Sequence, residues 1–337
     1  MERKYINRHS LMNCLKKVQA DGVSLYAPVA RGEQTDFRFI TSVDEISFGH
    51  IQTTRSAKAV VFPCTEKLFS YKKEKNDVKL RDYDADELPD ILVFGIHPCD
   101  AVGFGPLAGI FNWDTQDKPY NERRKRITLI SLACNRADEY CFCTSVGGGP
   151  GNTEGSDIQL TPVKEDGYLV EIITDKGNEW YEKYGSFFEN AAEDIRKEDY
   201  LVEIPVKFDM EDIIRKVSGV FENDTWRLQS ERCIGCGACA FVCPTCACFD
   251  IQEDAHGKTG NRIRCWDSCG FALFTLHTSG HNPRPKQSQR WRQRIMHKFS
   301  YMPERLSVVG CTGCGRCSRA CPVDMNLSDN LKMLNLL

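Results

Sequence analysis

Short apolar runs alternate with amphipathic segments through the first two-thirds of the chain. Residues 91–96 (Ile-Leu-Val-Phe-Gly-Ile) and 127–132 (Ile-Thr-Leu-Ile-Ser-Leu) are rich in β-branched side chains and lack polar alternation, the pattern of strands buried on both faces. Residues 59–62 read the same way, and residues 23–29, 37–43 and 168–174 are further strand candidates. Leu11, Leu15 and Val18 recur at helical spacing behind Ser10, which predicts a helix with Ser10 as its N-cap. Residues 178–197 and 210–221 carry helical periodicity with acids near their starts. The expected fold class is α+β, with an N-terminal α/β-type domain of short buried strands over residues 1–222.

Beyond residue 222 the apolar pattern gives way to turns rich in glycine and cysteine. Of eighteen cysteines in 337 residues, six precede that point and twelve lie between Cys233 and Cys321. The N-terminus has positive charge but no apolar stretch behind it, and no segment is long and apolar enough to span a bilayer, so a cytoplasmic protein without membrane insertion is expected. In a reducing compartment, cysteines at this density more often hold metal than form disulfides. A formal net charge of −3 excludes a global field that would draw the chain to nucleic acid.

The cysteine-rich region contains one motif twice. Cys-Ile-Gly-Cys-Gly-Ala-Cys-Ala-Phe-Val-Cys-Pro at 233–244 matches Cys-Thr-Gly-Cys-Gly-Arg-Cys-Ser-Arg-Ala-Cys-Pro at 311–322. Each is C-x2-C-x2-C-x3-C-P, the run that holds [4Fe–4S] clusters in two-cluster ferredoxins, where the fourth cysteine ligates the other cluster. The expected sets are Cys233, Cys236, Cys239 and Cys321 for one cluster, and Cys311, Cys314, Cys317 and Cys243 for the other. Structural zinc uses separated pairs of ligands and fits two four-cysteine runs poorly. Residues 223–337 therefore read as an α-helical, two-[4Fe–4S] ferredoxin-like domain with a long insert at about 250–308. Neither loop leaves an obvious non-cysteine ligand position, which points to electron transfer rather than substrate chemistry at iron.

The first domain offers a further site. Cys99 follows the 91–96 run by three residues and Cys134 follows the 127–132 run by two; parallel neighbouring strands would bring both to carboxyl ends, where open α/β sheets place ligands. Cys141-Phe142-Cys143 comes next, followed by a glycine-rich stretch at 147–151 that lacks a phosphate-binding signature and reads as a loop over the site. On spacing alone, a metal site and ordinary buried cysteines are equally open for these four. Cys64 imitates the strand-end arrangement and Cys14 falls within a helix; both read as structural, as does His97 beside a turn proline.

Cys246, Cys248, Cys265 and Cys269 follow the first motif, and packing beneath the clusters is favoured over a further one. Residues 281–303 hold six Lys or Arg and no acid, a segment that would neutralise an anionic cluster, dock an acidic partner, or form a solvated helix face.

Along nearly its whole length the chain resembles the family that comprises the iron–sulfur electron-transfer subunit of anaerobic sulfite reductase and the β subunit of cytosolic NiFe sulfhydrogenases. The resemblance rests on residues 233–249, on Arg264-Cys-Trp-Asp-Ser-Cys269, Gly280-His-Asn-Pro-Arg284, His297-Lys298 and Gly313-Cys-Gly-Arg-Cys317, and in the first domain on Tyr26-Ala-Pro-Val29, Val60-Val-Phe-Pro63, Pro98-Cys-Asp100 and Cys141-Phe-Cys143. It implies a third [4Fe–4S] cluster on Cys99, Cys134, Cys141 and Cys143, and marks Cys246, Cys248 and Cys269, but not Cys64 or Cys265, as family features. It also implies an electron-transfer role within an anaerobic oxidoreductase complex. Such a chain relays electrons from a flavin- and NAD(P)H-binding partner to a catalytic subunit of sulfite reductase, hydrogenase or heterodisulfide-reductase type, with bond-making catalysis in other subunits. The competing expectation is a redox enzyme whose first domain binds its own substrate or flavin beside a cluster.

Overall fold

A computed structural model describes residues 3–85, 88–164 and 166–336. Among the described residues, twelve strands form two sheets: β1 (Lys4–Asn7), β2 (Ser24–Arg31), β3 (Gln34–Ile40), β4 (Thr65–Lys73), β5 (Val78–Arg81), β6 (Ile91–Ile96), β7 (Ile127–Leu132), β8 (Ile158–Val163), β9 (Gly167–Ile172), β10 (Glu189–Asn190), β11 (Phe249–His256) and β12 (Thr259–Trp266). The larger sheet runs β10-β1-β9-β8-β7-β6-β2-β3. Its centre, β2-β6-β7-β8, is parallel and its flanks are antiparallel.

β6 and β7 occupy the residues expected of them, and every residue of β6 is buried. Successive side chains point to opposite faces. Leu92, Phe94, Ile130 and Leu132 therefore join the core beneath the helix Arg8–Ala20. Val93, Ile127 and Leu129 join a second core with Phe104, Leu107 and Phe111. Burial on both faces is why these strands show no polar alternation.

Three local expectations are corrected. The helix at Arg8–Ala20 is capped by Asn7, whose side chain accepts from the Ser10 N–H, so Ser10 lies in its first turn. Residues 59–62 are not a strand. A 3-10 turn covers Ala57–Val60, and the Val61 and Phe62 amides bond to the Lys58 carbonyl at 3.1 and 2.8 Å, satisfying a buried backbone without a ladder. The helix expected over 178–197 is Asp175–Tyr184; a turn at Gly185–Phe187 then releases the chain into β10, where pairing with β1 overrides local periodicity.

The second sheet, β11-β12-β4-β5, joins early and late segments of the chain. Arg264 on β12, 2% exposed, is held by the carboxylates of Glu66 on β4 and Asp117. A third core is helical: Phe208, Ile213, Val217 and Trp226 pack with Trp291, Ile295, Phe299, Leu327 and Leu331. No helix among the described residues is long and apolar enough to cross a membrane.

Candidate metal centres

The repeated motifs adopt one repeated backbone. Gly235 and Gly313 have φ of +69° and +64°, Gly237 and Gly315 +74° and +71°, and short helices follow at Ala238–Phe241 and Arg316–Arg319. Left-handed glycines turn each loop tightly enough to present three thiols on one side. The fourth cysteine of each run lies beyond its short helix. One cavity is walled by Cys233, Cys236 and Cys239 from the first motif and by Cys317 and Cys321 from the second, with Cys269, Gln287, Arg290 and Arg294 also in its lining. Gln287 donates to the Cys233 sulfur at 3.1 Å. Cys311, Cys314 and Cys317 are all within reach of the Cys243 charge, as is Cys239. Burial pushes the Cys311 and Cys317 thiols up to about 12 and about 11.

The basic segment supplies the cations. The helix Gln287–Met296 runs into a π-turn at His297–Tyr301, and Arg290, Arg294 and Lys298, spaced four apart, turn one face inward. That corrects the solvated-face alternative for half of the segment. Arg294 and Lys298 are 4% and 3% exposed, and so is Lys58 at 3%, contributed by the 3-10 turn after β3. Lys298 donates to Cys243 Sγ at 3.3 Å and to the Thr245 hydroxyl at 2.9 Å. Arg294 donates to the Cys239 carbonyl at 2.9 Å and reaches Cys246 Sγ at 3.5 Å. Lys58 donates to the carbonyls of Ala240 and Cys246. None of the three pairs with a carboxylate among the described residues. Burial opposes the Lys298 charge, but the Cys243 and Cys246 sulfurs outweigh it and hold the ammonium above its ordinary value. Buried basic side chains facing sulfurs, carbonyls, a hydroxyl and an aromatic ring, with no carboxylate among the described residues, match an anionic, thiolate-ligated core.

In the first domain, β6 and β7 are parallel neighbours, and Cys99 and Cys134 lie just past their carboxyl ends. Cys134 is within reach of the charges of Cys143 and Cys141, and Cys99 of Cys314 and Cys134, so the four thiols form one group with Cys314 at its border. Three of the four have a polar side-chain neighbour: Gln52 donates to Cys99 at 3.3 Å, His97 Nδ1 stands 3.6 Å from Cys134, and Arg319 donates to Cys141 at 3.3 Å. Burial lowers the His97 pKa and pushes the Cys143 thiol up to about 11.

This group is built onto the second motif. The Phe142 N–H donates to the Gly313 carbonyl at 2.9 Å. A Cβ at Gly313 would stand 2.5 Å from the Cys143 nitrogen, and one at Gly315 2.5 Å from the Tyr140 carbonyl. Those glycines thus permit a close approach as well as a tight turn. Among the described residues no three His, Cys, Asp or Glu converge tightly enough for a single metal ion.

A 4Fe–4S dicluster domain family matches residues 232–325, which contain both motifs. The chain is 31% identical over 331 residues, 95% of each chain, to sulfhydrogenase 2 subunit beta of Pyrococcus furiosus. The chain belongs to the sulfhydrogenase β-subunit family. No solved structure matches it.

Within that family framework the remaining cysteines divide by environment. Cys14 is buried in the core beneath the first helix and Cys64 is exposed. Cys265 lies on β12 opposite Thr65 and Asp250. Cys246, Cys248 and Cys269 are half-buried. Sequence reasoning missed Lys58, Gln52 and the Asp138–Arg319 pair, which meets Cys141. Only the four-residue spacing of Arg290, Arg294 and Lys298 carried a readable signal for the inward cations.

Proposed function

We propose that the chain is an electron-relaying subunit with three [4Fe–4S] sites, held by Cys233, Cys236, Cys239 and Cys321; by Cys311, Cys314, Cys317 and Cys243; and by Cys99, Cys134, Cys141 and Cys143. Bound clusters would supply single-electron transfer and no bond-making chemistry. The observation that carries this reading is the seating of the Tyr140–Cys143 segment on Gly313 and Gly315, which sets Cys141 and Cys143 against the loop of the second motif. The protein's own part is to hold each set, screen it from water and set its charge environment. Lys58, Arg294 and Lys298 serve the two ferredoxin-type sets, while Gln52, His97 and Arg319 serve the first-domain set.

The relative's name as a subunit supports a hetero-oligomeric complex. In it, a flavin- and NAD(P)H-binding subunit would stand on one side and a catalytic redox subunit on the other. Residues 1–222 and 223–337 are proposed as its two units, the first carrying the third site. Iron and acid-labile sulfide per chain on anaerobically purified protein, with EPR of the reduced form, test the reading. About twelve irons support three sites, whereas about eight confine the redox groups to residues 223–337.

One observation favours a second reading, a small-molecule site in the first domain. A cavity beside Cys99 and Cys143 is lined by Gly147–149 and by Thr312, whose buried hydroxyl has no partner. Flavin or substrate retained by the purified chain would support that reading over a pure relay.

A further inference from the structure

We propose that the loop of the first motif, with the segment 268–286 folded against it, is the face on which a partner redox protein docks, an inference that rests on Cys233, Cys236, Cys239 and Cys321 holding a cluster. The partner it fits presents an apolar patch rimmed by carboxylates, with its own one-electron group close beneath.

The two motifs repeat in backbone but not in cover. In the second, Thr312 follows the first cysteine and is 5% exposed, and the Tyr140–Cys143 segment lies on Gly313 and Gly315. In the first, the equivalent Ile234 is 66% exposed. Of the twelve proposed ligands, Cys236 alone is exposed. What packs on the first motif is the segment 268–286: a Cβ at Gly237 would stand 2.4 Å from the Phe271 ring, and one at Gly235 3.4 Å from the Gly270 carbonyl. That segment brings none of the proposed ligands, so this side of the first site borders solvent and not another thiol set. Electron exchange between proteins needs the two redox groups close together, and an exposed ligand marks where a second protein can come nearest.

The segment is braced from within. Buried Arg290 donates to the carbonyls of Gly270, Arg284 and Pro285 at 3.2, 3.0 and 2.8 Å, and the Asn282 side chain donates to the Ala272 carbonyl at 2.7 Å. Between these anchors Leu273 is 73% exposed, and Leu276 is exposed as well. Single exposed apolar side chains are ordinary. Ile234, Leu273 and Leu276, on a braced segment and the motif it covers, supply instead the apolar centre of an interface that excludes water.

Charge selects the occupant. No Asp or Glu lies between Asp267 and Glu304. Arg232, Arg284 and Lys286 flank the apolar residues in sequence, and none of the three is ion-paired among the described residues. The carboxylate next to Arg232, Glu231, is taken by Arg227 at 3.1 Å. Cations without carboxylates of their own attract a partner that brings them, and the attraction weakens with salt. An electron crossing here changes each redox group by one electron and asks no bond or proton of this chain.

The test uses the full-length, cluster-loaded protein, reduced with dithionite and freed of excess reductant. Stopped flow follows electron transfer to flavodoxin, an acidic protein whose flavin takes one electron and a proton from water to become the neutral semiquinone, and to benzoquinone, a small neutral acceptor. The flavodoxin rate constant is expected to fall with salt. Leu273→Glu, and Arg232→Glu combined with Lys286→Glu, should each lower it about tenfold or more at low salt, with iron content, EPR signals and the benzoquinone rate unchanged. Lys16→Glu, an exposed lysine on the helix Arg8–Ala20, should leave it in place. Unchanged flavodoxin rates in the first two variants, or an equal fall in Lys16→Glu, would overturn the docking face. A wild-type dimer that Leu273→Glu splits would overturn it too, by assigning the face to a second copy of this chain. Failure of the cluster reading is distinct, because the wild-type protein would then lack iron and the benzoquinone reaction.

Discussion

Arg316, in the short helix of the second cluster motif, forms a doubly hydrogen-bonded ion pair with Asp100, the residue after Cys99. Both side chains are 1% exposed. The same guanidinium donates to the carbonyl and hydroxyl of Thr53 and to Gln52, which in turn donates to the Cys99 sulfur. A residue between two cysteines of one motif thereby fixes the strand-end loop that carries another cysteine, with 216 positions separating the paired residues in sequence. Burial opposes the Arg316 charge, but Asp100 outweighs it and raises the guanidinium pKa.

Removing one partner should cost much more than removing both. Arg316→Met leaves a buried carboxylate unpaired and is expected to destabilise the chain by about 3–5 kcal/mol, whereas Arg316→Met with Asp100→Leu should recover much of that loss. Denaturant unfolding of the two variants checks this. Equal losses in both would show that the pair is not the lock between the second motif and the Cys99 loop.

Legibility in the sequence depended on range. The β6 and β7 runs were legible because burial on both faces writes itself into consecutive apolar residues, and the cluster motifs because their ligands are consecutive. Arg316–Asp100 was not, since nothing local distinguishes a lysine or arginine bound to a distant carboxylate from one in solvent. Lys58 was hidden for a related reason: it borders an apolar run that looked like a strand, yet its carbonyl closes the 3-10 turn while its ammonium reaches the Ala240 and Cys246 carbonyls. The segment 178–197 kept helical periodicity past the true helix end because pairing of β10 with β1 is a long-range event. In the basic segment, the four-residue spacing runs through Lys286 as well as Arg290, Arg294 and Lys298, so spacing alone did not separate the exposed lysine at the helix N-cap from the three inward cations.

Glycine substitutions separate turn strain from close approach. Gly313→Ala adds a Cβ that would stand 2.5 Å from the Cys143 backbone at a φ of +64°, so the Tyr140–Cys143 segment must move. Gly22→Ala, at φ +86° with nothing within 4 Å, meets only the left-handed penalty of about 1–2 kcal/mol. The expected result is a stable Gly22→Ala protein with full iron content and a Gly313→Ala protein that loses iron. Full iron in both would show that the first-domain segment does not depend on its seat.

Among the first-domain cysteines, Cys141 and Cys64 make the sharpest contrast. Cys141 receives a hydrogen bond from Arg319 and stands within reach of the charges of Cys134 and Cys143, whereas Cys64 is exposed. Cys141→Ser should lose about four irons per chain, and Cys64→Ser none. Iron and sulfide assays decide it, and the reverse result would move the third site to Cys64.

Lys298 should tune one cluster in particular. Its ammonium donates to Cys243 and to the Thr245 hydroxyl, which itself contacts the Cys243 sulfur at 3.2 Å. Reduction adds negative charge to a thiolate-ligated core, so a buried cation at its ligand favours the reduced form, and removing it lowers the potential. Lys298→Met is expected to lower the midpoint of one ferredoxin-type signal by about 60 mV or more, equivalent to at least a tenfold change for one electron. Lys286→Gln, in the same basic segment but exposed, should leave all midpoints in place because solvent screens its charge. EPR-monitored redox titration distinguishes the signals. A uniform shift of all clusters in Lys298→Met would indicate a general charge effect, and no shift would mean that the contact at Cys243 does not set the potential.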